Sequence, residues 1–415
     1  MDVWRRKILV SVTLLALGWG GSACEKSSPL PPVQRGLVAM SDGFSGDERW
    51  RQDFTFADMD GDGLRDIVTA PPRKSKEPWP HIFLRRQMGW EPVTCSEVER
   101  NGFPPQEYMY GGVAVADFDG KGKLAIAIAM HETGIRIFTN IGGGPCGPWE
   151  ERTDLPSEML QMQTRAITTA DMNHDGRMDL VAVSEAPRMN VAKGAFGIGI
   201  FFNETSGWRL QKITESDGLF GDDIAVGEVN GDGIPDIAVG SLDDKRPQFV
   251  WLSDGNGGWQ AASTEGLPPY IIAWSVQLVD FDHDGKDELL MGVGSAPIHK
   301  NGGPRVYKWD GTQWNTLSQG LPQVSWVCGV TAIDLDHDGS LEIVTAGMYT
   351  ETLHVYGQQP NGEWGEQAQL KVADEQKWRN YKVRALSVDK GQGGIIVANY
   401  AGENGGGSIM AWIWR

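Results

Sequence analysis

Histidine and cysteine are scarce in this chain, basic residues are outnumbered by acidic ones, and no apolar run is long enough to cross a bilayer. Seven histidines in 415 residues leave little material for histidine-dependent catalysis. No GxSxG elbow, HExxH pair or phosphate-binding loop is present either. Lysine and arginine number 37 against 55 acidic residues, a formal net charge of −18. That excludes a nucleic-acid partner, because phosphate binding needs a clustered basic surface that releases counterions. The first apolar stretch, Ile8 to Leu17, is too short to span a membrane.

That stretch has another reading. Arg5, Arg6 and Lys7 precede it, and Gly20, Gly21, Ser22 and Ala23 lead to Cys24, the layout of a secretory signal over residues 1–23. A cysteine directly after small residues resembles a bacterial lipoprotein signal. This implies lipidation of Cys24 and attachment to a membrane by the lipid anchor alone, in the periplasm or at the cell surface. Gly21 stands where such signals usually carry leucine, so cleavage after Ala23 and plain secretion is the alternative. Residues 24–33 then form the anchor cysteine and a Pro-rich tether. Cys95, Cys146 and Cys328 remain, so at most one disulfide can form.

What is plentiful points to many short strands. The chain has 54 glycines, 22 prolines and 17 tryptophans. Five segments share the pattern acid-x-Asp/Asn-x-Asp-Gly-x-x-acid: residues 58–66 (DMDGDGLRD), 171–179 (DMNHDGRMD), 228–236 (EVNGDGIPD), 280–288 (DFDHDGKDE) and 334–342 (DLDHDGSLE). Degenerate copies begin at Asp117 (DFDGKGKLA) and Asp389 (DKGQGG), and the seven first acids lie 52 to 59 residues apart.

Each motif is flanked by strand-type segments, alternating before it and continuously apolar after it, so the motif is a hairpin loop. A third strand follows, then a fourth led by Trp90, Trp149, Trp208, Trp259, Trp314 or Trp364, and Gly-Leu or Gly-Phe commonly closes the unit. Four strands in about 55 residues, used seven times, predict an all-β, seven-bladed propeller over residues 34–415. The last unit stops after its third strand, and residues 34–44 read as an unattached fourth strand. The N-terminal strand is therefore expected to complete the final blade.

The segment FGDDIAVGEVNGDGIPDIAVGS and its relatives resemble the FG-GAP or VCBS repeat of integrin α-subunit propellers and many bacterial surface proteins. The resemblance covers nearly all of residues 34–415. It implies the propeller fold and a cation in each intact loop.

The loop chemistry supports calcium, which takes six to eight oxygen ligands. Side chains at positions 1, 3, 5 and 9 and a backbone carbonyl at position 7 make the candidate ligand sets. These are Asp58, Asp60, Asp62, Leu64 and Asp66; Asp171, Asn173, Asp175, Arg177 and Asp179; Glu228, Asn230, Asp232, Ile234 and Asp236; Asp280, Asp282, Asp284, Lys286 and Glu288; and Asp334, Asp336, Asp338, Ser340 and Glu342. About five structural Ca2+ ions are expected. An EF-hand would need a carboxylate at position 12, where Thr69, Ala182, Val239, Met291 and Thr345 stand. In the second copy Lys121 occupies position 5, so its ammonium is expected in place of a metal. His174, His283 and His337 at position 4 are expected to face water.

A ligand is expected on the opposite face, where long loops carry Arg73, Lys74, Trp79, Arg188, Lys193, His299 and Lys300, a basic group on an acidic protein. Solvated loop tips are the alternative. Eight residues before each first acid stand Trp50, Met109, Gln163, Phe220, Ile272, Trp326 and Tyr381, either a platform at the channel mouth or interblade packing. The reading is a binding or adhesion module at the cell envelope with a glycan or protein ligand. The alternatives are a polysaccharide lyase or hydrolase using loop carboxylates, and then a purely structural envelope protein.

Overall fold

Strands buried on both faces read as unbroken apolar runs, and the second strand of each unit does so: Asp179–Ser184, Glu288–Gly294 and Glu342–Gly347 are buried at every residue. The computed structural model describes residues 36–44, 53–71, 79–87, 89–95, 111–130, 134–184, 197–214, 221–241, 248–269, 271–294, 302–324, 326–347, 352–372, 378–388, 393–402 and 407–415. They form seven antiparallel sheets of four strands each. Six sheets use consecutive strands; in blade 3, Thr164–Ala170, Asp179–Ser184, Ile198–Glu204 and Gly207–Thr214 pair in that order. The one helix among the described residues is the five-residue Ser157–Gln161.

Blade 7 is the exception that closes the ring. Trp378–Leu386, Ile395–Gly402 and Gly407–Trp414 take Leu37–Ala39 as their fourth strand, in the register Leu37↔Trp414, Val38↔Ile413 and Ala39↔Trp412. Gly36 and Arg415 exchange backbone hydrogen bonds of 2.8 and 3.1 Å. The core lies between blades. Each adjacent pair shares one buried apolar cluster, including the pair of blades 7 and 1, where Met40, Phe54, Phe83 and Trp90 meet Leu386, Ile395, Val397 and Ile409.

The Gly-Leu and Gly-Phe ends of the repeat are explained by the tryptophan that follows. Trp90, Trp314 and Trp364 donate their indole N–H to the carbonyls of Met40, Ser263 and Leu317, each at 2.9 Å. Their backbone N–H groups bond Asp42, Glu265 and Gln319. A Cβ at Gly43, Gly266 or Gly320 would lie 1.6, 1.9 or 2.2 Å from the carbonyl oxygen of those same tryptophans. Only glycine admits so close an approach, and all three sit at positive φ. Every such joint latches the end of one blade onto the next.

Deleting residues 36–44 should therefore open the ring. It removes the last strand of blade 7, the Trp90 partner and the burial of Met40, which alone represents about 1.5–3 kcal/mol. The strand Gly407–Trp414 would become a free edge. Size-exclusion chromatography should show self-association, and the melting temperature should fall; an unchanged monomer with an unchanged melt would count against this closure.

Candidate metal loops and a charged plug in the channel

In all five acidic copies the loop joins the first and second strands of a blade, with position 9 as the first residue of the second strand. The pairs Ala57↔Asp66, Ala170↔Asp179, Gly227↔Asp236, Val279↔Glu288 and Ile333↔Glu342 close the hairpins. No helix flanks any of them, so the EF-hand alternative is removed by the architecture as well as by position 12.

The position-1 carboxylate sets the curvature of each loop. Asp58 accepts the N–H groups of Gly61, Asp62 and Gly63 at 2.8, 3.1 and 2.9 Å. Asp171, Glu228, Asp280 and Asp334 likewise accept from positions 5 and 6. Position 5 accepts the N–H of position 7 from Leu64, Arg177, Ile234, Lys286 and Ser340.

Position 9 is buried and works as a keystone. One oxygen of Asp66, Asp179 or Asp236 accepts the N–H of Met59, Met172 or Val229, at position 2. The other accepts from the third strand, at Arg85, Asn203 or Ser253. Glu288 and Glu342 bond Phe281 and Leu335 in the same way. Burial pushes these carboxyls up: Asp66 to about 6, Asp236 and Glu342 to about 7, and Asp179 and Glu288 in the same direction, with neighbouring loop acids adding to the rise.

Oxygens of three acids converge within 4.8 Å in three loops: Asp58, Asp60 and Asp62; Asp280, Asp282 and Glu288; Asp334, Asp336 and Glu342. In the other two, Asn173 and Asn230 stand at position 3 and their amides reach Asp175 and Asp232 at 3.3 and 3.2 Å. These acidic clusters could hold a metal ion, and the oxygen-only donor set with mutually repelling carboxylates suits a hard dication. Cationic side chains also answer them. Lys308 lies 2.5 Å from Asp282, 2.8 Å from Asp284 and 3.0 Å from Glu288, and Arg86 lies 3.1 Å from Asp60 and 3.4 Å from Asp62.

With no cation bound, the raised position-9 carboxyls set a pH dependence. The folded chain holds protons there that the unfolded chain, with ordinary carboxyl values near 4, has released. Stability of the chelated protein should therefore rise as pH falls from about 7 toward 4, whereas a cation-loaded sample should not gain. Denaturant titrations at pH 7 and 5, with and without chelator, check the sign.

Two expectations are corrected. In the second copy Lys121 gives Asp117 its backbone N–H, and the side-chain cation that meets the loop is Arg152, 2.6 Å from Asp119. Ala125 at position 9 has no carboxylate, so the third-strand N–H of Asn140 turns to the Leu124 carbonyl instead. Nor do His174 and His283 simply face water. At φ of 56° and 58°, their Nε2 atoms lie 2.9 and 2.8 Å from the carbonyls of Gly233 and Gly339, position 6 of the next blade's loop. Successive loops are thus tied together. Asp287 adds another tie, exchanging bonds of 2.5 and 2.7 Å with the Glu228 backbone.

Of the expected ligand face, Trp79 lines a small cavity between blades 1 and 2 with Trp149 and the Cys95–Cys146 disulfide. Arg73, Lys74, Arg188, Lys193, His299 and Lys300 lie outside the described residues, as do Cys24 and residues 389–392. Trp326, at φ 61°, packs edge-on against Trp274 with ring centroids 6.1 Å apart.

The feature that sequence reading missed lies among the innermost strands, where charges of several blades meet. Bulges in the innermost strands fall at Thr164/Ala166, Gly221/Asp223 and Ala273/Ser275, and such irregularities re-aim side chains. Around them Arg384 holds Asp53 through both nitrogens at 2.6 to 2.9 Å. Lys382 of blade 7 reaches across the ring to blade 4, 2.9 Å from the Asp223 carboxylate and 3.2 Å from the Asp222 carbonyl. Asp223 also accepts from Ser275 of blade 5, and Asp222 from Arg165 of blade 3. Burial alone would raise Asp223, but Lys382 and Arg384 outweigh it and hold the carboxyl below its usual value; for Asp222 burial prevails and the value rises. The available signal was charge five to seven residues before the first acid in four of the seven copies, at Asp53, Arg165, Asp222 with Asp223, and Lys382 with Arg384.

Known proteins give a consistent picture. The FG-GAP-like repeat family model matches residues 117–182 and 228–291. Human integrin alpha-6 is 22% identical over 246 residues, covering 55% of this chain and 20% of its own length. Human phosphatidylinositol-glycan-specific phospholipase D is 28% identical over 158 residues, 32% of this chain and 18% of its own. Cartilage acidic protein 1 of Xenopus tropicalis is 25% identical over 270 residues, 56% and 38%. The chain thus spans well under half the length of these relatives. A solved structure, YCF48 from Cyanidioschyzon merolae, covers 91% of this chain and 98% of its own with a TM-score of 0.49 and 12% identity. With seven four-stranded antiparallel blades, the chain is a seven-bladed β-propeller, and residues 117–182 and 228–291 of it are similar to the FG-GAP-like repeat.

Proposed function

We propose that the chain is an exported, calcium-clamped propeller that acts as a ligand-binding or adhesion module at the cell envelope. The observation that carries the metal half of this reading is the convergence of three carboxylates within 4.8 Å in loops whose only donors are oxygens. The acids of each loop at positions 1, 3, 5 and 9, with the position-7 carbonyl, would hold one Ca2+, about five in all, and the ion would offset the carboxylate charge that side chains such as Lys308 and Arg86 leave uncompensated.

Export is supported by the Cys95–Cys146 disulfide, a bond that persists in oxidising compartments, and by the leader over residues 1–23 with Cys24 as the lipid anchor. The binding role draws support from the similarity to an integrin alpha subunit over half the chain. A rigid propeller that presents variable loops is suited to holding a glycan or an envelope protein on them.

A screen of immobilised glycans and envelope proteins, run in 1 mM calcium and in chelator, should return a ligand whose capture depends on the cation. Release of product from an acidic polysaccharide would replace this reading with an enzymatic one.

A further inference from the structure

Away from the acidic loops, a cavity of about 330 Å3 opens between blades 5 and 6, within the range of small-molecule sites, about 300–1,000 Å3. One wall is apolar, made by Pro322 and Val324 of the connection between the two blades and by Val327, the first residue of blade 6. Val324 is one of four large apolar side chains left exposed among the described residues. The other wall comes from blade 6 and is polar. The register Thr345↔His354↔Gln369 sets one row and Tyr356↔Glu366 the next, so the pleat brings all five onto one face.

The polar wall is pre-ordered. His354 Nδ1 lies 2.5 Å from Glu366 Oε1, and Thr352 Oγ1 lies 3.1 Å from His354 Nε2. The carboxylate thus draws the imidazole proton to Nδ1, and Nε2 accepts from the threonine. Gln369 Nε2 donates to Glu366 Oε2 at 2.9 Å. Each carboxylate oxygen keeps a further lone pair, and the Gln369 amide keeps a second hydrogen and its oxygen. Two acceptors beside a donor match neighbouring hydroxyl groups, while the valine and proline wall suits the C–H face of a ring. Glu366 repels anions, and the protein's net charge of −18 does the same at longer range.

We propose that this interblade cavity is a binding subsite for a neutral sugar ring, gripped through a vicinal diol by Glu366 and Gln369. The proposal rests on the binding-module reading in assigning a ligand, and its test reads the cavity separately. Saturation-transfer NMR on the full chain in calcium would use methyl glycosides of glucose, galactose and mannose as probes, with glucosamine as a cationic control. At least one neutral glycoside should show transfer, strongest at its ring C–H protons, and Glu366→Gln and Val324→Asp should each weaken it about tenfold. Both positions are exposed, and an unchanged melt would show that each variant folds. Absence of transfer from every neutral glycoside, transfer from glucosamine alone, or transfer undiminished in both variants would overturn the proposal. If a ligand found by the wider screen binds wild type and both variants equally, the binding-module reading stands and the cavity assignment falls.

Discussion

Replacing Lys382 with methionine should destabilise the folded ring by about 3–5 kcal/mol, the range seen when one partner of a buried ion pair is removed. The reason is geometric. Lys382 and Asp223 belong to blades 7 and 4, which are not neighbours, and their side chains are only 12% and 5% exposed. Methionine would leave Asp223 buried beside Asp222 with the nearest remaining guanidinium of Arg384 4.0 Å away. Adding Asp223→Asn to the lysine variant should restore part of the loss, since the uncompensated charge is then gone. Equilibrium denaturation of wild type, both single variants and the double variant measures this coupling, and a Lys382 variant within 0.5 kcal/mol of wild type would show that the plug is not a lock.

The pH behaviour of that plug follows from its shifts. The Asp223 value is lowered, so its contribution is present above the ordinary carboxyl range and lost as pH falls through the folded value. Burial alone would lower Lys382, but Asp223, Asp53 and Asp222 outweigh it and raise the value, so its contribution is present below the ordinary ammonium value and lost only as pH climbs through the folded one. The Lys382–Asp223 pair is therefore intact across the neutral range.

Withdrawing calcium should have an effect of similar size, spread over five loops. At a dissociation constant near ~0.1 mM, typical of extracellular modules, ~1 mM calcium contributes about 1.4 kcal/mol per site. Five such terms approach the whole stability of a typical domain, about 5–15 kcal/mol. For a folding unit of roughly 380 residues that corresponds to a fall in melting temperature on the order of 5–10 °C in chelator. Differential scanning calorimetry with calcium, magnesium and chelator would measure it, and a melt indifferent to all three would remove the metal reading.

Blade number, strand order, ring closure and loop placement were legible because each rests on local pattern repeated seven times. Asp58 to Asp66 and its counterparts announce a hairpin wherever they occur. The glycine before Leu267 or Leu321 was visible as a repeat mark, but its cause, a backbone carbonyl of the next blade's tryptophan, is a contact between units that spacing alone does not reveal. The same holds for His174 and His283, whose partners lie 59 and 56 residues on. Position 9 read as one more metal-facing acid, whereas in Asp66, Asp179 and Asp236 both oxygens also hold backbone N–H groups. The channel plug was least legible. Asp53, Arg165 and Asp223 sit in three different blades and Lys382 and Arg384 in a fourth, and nothing in a single repeat says which opposite charge faces which across the ring.

The disulfide between Cys95 and Cys146 joins blade 1 to blade 2, the blade whose hairpin has alanine where the five acidic copies place a buried acid. Fastening at that seam answers to electron donors, while under the proposed calcium reading the acidic hairpins elsewhere would answer to dissolved dications. A medium that is reducing but rich in calcium, or oxidising but poor in it, would each slacken a different arc of the circle and leave the remainder taut.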